Sequence, residues 1–276
     1  MRIDSHHHFW NYSPEQYPWI GPGMAVLRSD YGPRQLQAEI NATGINSVVS
    51  VQARQSIEET DWLLEIATDH EFVAGVVGWL PLADDSLRSE LERLVASPKL
   101  KALRHVVQDE PDDQFILGRE FNLGVGLLKQ FDLVYDILIF AKHLSNTVRF
   151  VDQHPEQQFV LDHIAKPTIT AESFDDQWAA DLRELAKREN VACKFSGVVT
   201  EVRQGHWSIE TIRPYWVVAL ESFGPRRLMF GSDWPVCLLQ TDYVRWVHTV
   251  QQLASELSTT EQDQFWRGTA LATYKL

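Results

Sequence analysis

The 276-residue chain is 44% hydrophobic, enough to bury a sizeable core. With 25 Lys and Arg against 38 Asp and Glu, its formal net charge of −13 repels phosphate backbones and argues against a nucleic-acid partner. No apolar run approaches the ~18 residues of a membrane span, and the N-terminus lacks the basic-then-apolar profile of a signal peptide, so the expected setting is the cytoplasm, with Cys193 and Cys237 reduced and buried.

In chain order, Arg2 to His6 reads as the first strand. Strand periodicity puts His6 and His8 on one face and His7 on the other. Two imidazoles aimed into a barrel mouth can share a divalent metal or hold a substrate oxygen. The stretch from Phe9 to Tyr31 is too long for an ordinary strand-to-helix loop. It carries Trp10, Tyr12, Tyr17, Trp19 and Tyr31, which suits a pocket wall or lid that stacks on a sugar, with packing of the loop onto the barrel as the alternative.

Further strands are expected at Ser47 to Ala53, Val73 to Leu80, Leu100 to Val107, Leu133 to Phe140, Gln158 to Asp162, Ala192 to Ser196 and Arg227 to Gly231. Helical patterns run over Thr60 to His70, Ser86 to Ala96, Glu120 to Lys129, Leu144 to His154, Asp175 to Glu189, Ile209 to Phe223 and Tyr243 to Leu253, with a helical tail at Thr260 to Ala272. Eight strands alternating with helices predict an α/β protein, a single (β/α)8 TIM barrel over residues 1–276. No repeat or Gly/Ser linker divides it. A doubly wound open sheet would want a Gly-rich phosphate turn after its first strand, where this chain has histidines.

A parallel barrel keeps its chemistry at the C-terminal ends of its strands. His163 follows the apolar run Phe159-Val160-Leu161-Asp162. Asp233 follows Arg227-Leu228-Met229-Phe230 and precedes a Trp-Pro step that does not easily extend a strand. One strand-end histidine is weak evidence; three imidazoles and a carboxylate on a common rim are far harder to produce by chance. Gln52 and Trp79, at the second and third strand ends, are candidate substrate contacts, an amide for hydroxyls and an indole for a ring face. Glu110 and Asp112 read as a solvated acidic loop without a catalytic role.

The runs Asp4-Ser5-His6-His7-His8-Phe9-Trp10, Val77-Gly78-Trp79, Leu103-Arg104-His105-Val106-Val107-Gln108, Leu161-Asp162-His163-Ile164-Ala165-Lys166-Pro167, Lys194-Phe195-Ser196-Gly197 and Phe230-Gly231-Ser232-Asp233-Trp234-Pro235 cover nearly the whole chain. In that order they resemble the amidohydrolase superfamily and, within it, the amidohydrolase-2 lactonase group, with 2-pyrone-4,6-dicarboxylate hydrolase more distant. The resemblance implies a distorted (β/α)8 barrel in which Asp233 is the general base that activates water, and His6, His8 and His163 join it as metal ligands. Arg104 and His105 stand where binuclear members carry a carbamylated lysine or a glutamate, so the set supports at most one divalent ion, zinc by family preference. If the ion is dispensable, the oxyanion falls to Arg104, His105 and Lys194.

The implied reaction is hydrolysis of a small-molecule sugar lactone, an aldonolactone of the L-fucono or L-rhamnono kind. Asp233 or His105 would protonate the departing alkoxide, and Trp10, Gln52, Trp79, Arg104 and Lys194 would contact substrate. Two other classes share such a rim: a zinc-dependent decarboxylase of an aromatic or unsaturated acid, and a non-catalytic barrel that binds a sugar acid.

Overall fold

A computed structural model describes residues 1–170, 172–203 and 206–276. Eight parallel strands stand in sequential order: β1 (Ile3–His7), β2 (Ser47–Val51), β3 (Val73–Gly78), β4 (Leu100–Val106), β5 (Val134–Leu138), β6 (Phe159–Leu161), β7 (Val191–Phe195) and β8 (Leu228–Phe230). The intervening helices are α1 (Pro33–Thr43), α2 (Ile57–Asp69), α3 (Leu87–Leu94), α4 (Arg119–Leu128), α5 (Leu144–Asp152), α6 (Asp176–Ala186), α7 (Ile209–Phe223) and α8 (Tyr243–Leu253). The result is a nearly closed (β/α)8 barrel, as the alternation predicts.

The barrel is uneven at one seam. Ladders join β1 through β8 in turn, but between β1 and β8 the described residues form no ladder: the Ser5 hydroxyl donates to the Phe230 carbonyl at 2.5 Å, and the other bonds lie beyond the short β8. The Asp4 carboxylate accepts from the Ser232 N–H at 2.8 Å, the Asp233 N–H donates to the His6 carbonyl at 2.8 Å, and the His8 N–H donates to the Trp234 carbonyl at 2.7 Å.

Helix α1 has no counterpart in the sequence reading. Its signals are at its ends: Pro33 at the first helical position, where a missing N–H costs nothing, and Gly44 closing it at φ 74°. A tail of two short helices, α9 (Thr259–Asp263) and α10 (Thr269–Tyr274), returns under the barrel. Ala270 and Tyr274 there pack against the inward apolar residues Ile3, Val49, Val77, Val134 and Met229 and stop the N-terminal end of the barrel. The main core lies between sheet and helices, where Leu36, Leu63, Leu91, Phe121, Phe150, Leu182 and Trp246 are buried. No helix among the described residues is long and apolar enough to cross a membrane.

Candidate active site

His6, near the end of β1, and His8, just past it, bring their Nε2 atoms 3.2 Å apart. His7 points to the opposite face, its Nε2 2.8 Å from the Ser50 hydroxyl. Asp233 enters from across the seam, its Oδ1 3.3 Å from Nε2 of His8, 3.8 Å from that of His6 and 4.0 Å from that of His163. Four side chains from β1, β6 and β8 thus converge, all buried.

Two of the four sit on left-handed backbone, Asp233 at φ 58° and His163 at φ 54°. His163 opens a run of such residues, continuing through Ile164, Ala165 and Lys166, and each costs roughly 1–3 kcal/mol in an L-residue. The neighbourhood compensates: Ile164 and Ala165 are fully buried, the Trp178 indole donates to the Ile164 carbonyl at 2.7 Å, and the Lys166 N–H donates to the His163 carbonyl at 2.8 Å. Gly197, at φ 63°, makes room for the turn. A Cβ there would lie 2.7 Å from His163 Nδ1 and 3.0 Å from Asp233 Oδ2, so any side chain would displace both.

The cluster fits a divalent ion. A tetrahedral site with ligand bonds of about 2.0–2.1 Å needs donor atoms roughly 3.3 Å apart; His6, His8 and Asp233 stand 3.2 to 3.8 Å from one another, and His163 Nε2 lies 4.0 Å from Asp233 Oδ1 as the more distant fourth donor. Each imidazole is also oriented from behind. His8 Nδ1 lies 2.8 Å from the Val51 carbonyl, His163 Nδ1 2.9 Å from the Ser196 hydroxyl, and His6 Nδ1 3.2 Å from Asp162 Oδ1. The Val51 carbonyl can only accept, so it places the His8 proton on Nδ1 and leaves the Nε2 lone pair for a ligand. Burial depresses His6 well below the ordinary histidine range and His163 to about 4, so both stay neutral and able to ligate. Burial would raise Asp233, but His163, the hydrogen bond with His8 and the charge of Lys166 outweigh it and keep the carboxylate ionised.

Beneath this rim lies a second layer of buried charge. Lys194 donates to Asp136 at 2.6 Å, lies 2.9 Å from Asp162 and stands 3.2 Å from His6 Nδ1. Arg104 donates to Asp162 at 2.9 Å and also to the Gln52 carbonyl. The Tyr274 hydroxyl closes the layer from below, donating to Asp136 at 2.7 Å. Burial pushes Asp136 up, whereas for Asp162 the cations Lys194 and Arg104, together with His6, overcome burial and hold it ionised. Asp162 and Asp136 escaped the sequence reading. The motif signal was there for Asp162, which immediately precedes His163; Asp136 was hidden in an apolar run.

Over the rim opens a cavity of about 600 Å³. His8, His163 and Asp233 line its floor with Arg104. Its walls include Trp19 and Arg54, with Gln55, Gln108 and Lys166. Trp19 donates to the Ala53 carbonyl at 3.1 Å, tying the aromatic loop to the loop after β2. Glu59 reinforces that tie by accepting from the Tyr17 hydroxyl at 3.1 Å and from the N–H groups of Ala53 and Arg54, each at 2.9 Å.

Several residues expected at the substrate lie elsewhere. His105 alternates with Arg104 along β4 and so faces outward, stacked on Phe115 with Nε2 2.6 Å from Glu110, which gives Glu110 a structural partner. Lys194 is wholly buried in the charged layer. Gln52, also wholly buried, has its side chain beside Arg104. The Trp79 indole donates to His105 Nδ1 at 3.3 Å, outside the cavity lining. Trp10 is buried in the loop's own small core with Tyr17, Ile20 and Leu27 and donates to the Ser29 carbonyl; the wall it was expected to supply is made by Trp19. Of the proposed cationic donors, Arg104 reaches the cavity. Lys166 and Arg54 reach it too; neither had been singled out, because loop backbone and not strand alternation directs them.

Fold and site together define a barrel hydrolase of the kind that gathers histidines and an aspartate at its strand ends. The amidohydrolase family profile matches residues 3–276, and the chain belongs to that family. It is 42% identical over its whole length to an L-fucono-1,5-lactonase of Burkholderia multivorans, covering 96% of that protein. It is 32% identical, again over 100% of the chain and 96% of the relative, to an L-fucono-1,5-lactonase of Burkholderia ambifaria. A crystal structure of an amidohydrolase from Burkholderia multivorans with bound zinc superposes with a TM-score of 0.94 at 43% identity, covering 100% of this chain and 99% of that one.

Proposed function

We propose that this chain opens a sugar lactone, an aldonolactone of the L-fucono or L-rhamnono kind, to the free acid. One observation carries the reading: an ionised Asp233, in contact with the imidazoles of the rim, faces a cavity walled by an indole and polar side chains, large enough for one sugar ring. Two relatives more than 30% identical, each matched over 96% of its length, are L-fucono-1,5-lactonases.

The Asp233 carboxylate takes a proton from the water that attacks the lactone carbonyl carbon. Left-handed backbone and Gly197 hold the carboxylate against the floor, so little reorientation is needed at the moment of attack. Arg104, anchored by Asp162, presents positive charge to the cavity where the carbonyl oxygen becomes an oxyanion. A divalent ion, zinc for an N3O donor set, would be held by His6, His8, His163 and Asp233 and would supply Lewis-acid polarisation of the carbonyl. Trp19 offers a face for the sugar ring, and Gln55 and Gln108 offer amides for its hydroxyls. The chain works as one domain, since β1 and β8 share the site and Tyr274 reaches back to Asp136. Two free, buried cysteines suit a reducing cytoplasm.

The test is a pH-indicator assay over a panel of aldonolactones, for the wild type and Asp233→Asn. Acid release that falls by about 10²–10⁴-fold in the variant is expected. Undiminished turnover in Asp233→Asn would overturn the mechanism. Release of carbon dioxide from an aromatic acid, with no lactone opened, would overturn the reaction class.

A further inference from the structure

The reaction needs a proton for the departing ring oxygen, because an alkoxide is a poor leaving group, and the structure removes one donor expected for the task. His105 faces Phe115 and Glu110, outside the cavity. Arg104 is committed to Asp162 and the Gln52 carbonyl, and a guanidinium does not release its proton in a protein. The imidazoles are held neutral by burial at His6 and His163, and all three have their Nδ1 atoms engaged behind the rim.

Lys166 stands apart. It lines the cavity beside His163, Asp233 and Arg104. The left-handed run that begins at His163 carries it there. Among the described residues its ammonium pairs with no carboxylate, and its near neighbour is the face of Phe140, 5.7 Å away. An ammonium in a partly enclosed site that closes no salt bridge, although Glu201 and Asp233 lie near enough to act on its charge, keeps its hydrogen bonds for whatever enters.

Building on the lactonase reading, we propose that Lys166 is a catalytic residue, the general acid that protonates the ring oxygen as the lactone opens. The oxygen of water bonds to the carbonyl carbon while Asp233 takes its proton. As the tetrahedral intermediate collapses, the bond from that carbon to the ring oxygen breaks, its electron pair passes to the ring oxygen, and a proton moves from Lys166 Nζ onto it. The proton on Asp233 then returns to Lys166 through solvent, and the net change is lactone plus water to hydroxy acid.

A sulfur leaving group needs no such proton, so the test compares an aldonolactone with the thiolactone in which sulfur replaces its ring oxygen. Lys166→Met and Lys166→Arg, the latter keeping charge and much of the stem, are expected to lower kcat on the lactone by about 10²–10⁴-fold and on the thiolactone by less than about tenfold, a ratio that also reports intact folding. Equal losses on both substrates, wild-type turnover in Lys166→Arg, or no loss in either variant would overturn the assignment. A wild-type protein that opens neither ring would instead overturn the lactonase reading.

Discussion

At the N-terminal end of the barrel, Ile3, Val49, Val77, Val134 and Met229 meet Ala270 and Tyr274 in apolar contact. One storey up, the inward positions belong to Asp136, Asp162, Lys194 and Arg104, and one storey further to His6, His8, His163 and Asp233. The same strands therefore bury hydrocarbon at one end and charge at the other. The apolar end tolerates loss of volume in proportion to the cavity created, whereas each charge in the middle storey is solvated only by its partners, so loss of one strands the rest. The rim differs from both, since its groups are oriented from behind and left available in front.

Lys194→Met is the strongest way to break that division. It leaves Asp136 and Asp162 facing each other without their shared cation, with an expected loss of about 3–5 kcal/mol in denaturant unfolding. A loss below 1 kcal/mol would show that the middle storey is not held by ion pairing. At the rim the effect should be on binding. Zinc added at a hundredfold excess over its Kd should stabilise the metal-stripped protein by about 2.7 kcal/mol, seen as a rise in the thermal midpoint. His8→Ala should abolish most of that rise, and an unchanged shift would place the ion elsewhere.

Tyr274→Phe tests the junction of the lower two storeys, since it keeps the ring and removes the hydroxyl that donates to Asp136. The expected cost is about 1.5–3 kcal/mol, the range for a hydrogen bond to a charged group. A neutral result would show that apolar packing alone stops the barrel.

The smallest effect concerns the loops above the rim. Burial raises Glu59 from its ordinary value of 4.5 to about 7 despite hydrogen bonds from Arg54, Ala53 and Tyr17. The folded state therefore binds the extra proton between those values, and this group's contribution to stability falls as pH rises through that window. Glu59→Gln should flatten the decline of the thermal midpoint between about pH 5 and 7; an unaltered slope would assign the dependence to other groups.

How much of this was legible follows from what directs each side chain. Alternation along β1 separates His6 and His8 from His7, and the structure keeps that separation. The same alternation along β4 separates Arg104 from His105, and reading both into the site ignored it. Helix α1 was readable from Pro33 and Gly44 at its ends, though its apolar pattern is sparse, with Leu36, Ile40 and Thr43 the buried residues. Lys166 reaches the cavity from a run of left-handed residues for which no local preference exists, and only the surrounding packing selects it. Trp10 and Trp19 share a loop and a residue type, and which of them faces ligand depends on the loop's own small core.

The seam between β1 and β8 has a mechanical consequence. Most neighbouring staves are joined by a ladder, but these two are joined by a few bonds around Asp4, His6 and His8, and His6 and His8 lie on one side with Asp233 on the other. Whatever those three side chains grip becomes a rivet across the weakest joint of the cask. Occupancy should then be felt well beyond the cavity, as slower amide exchange along both β1 and β8, including in backbone that no ligand touches.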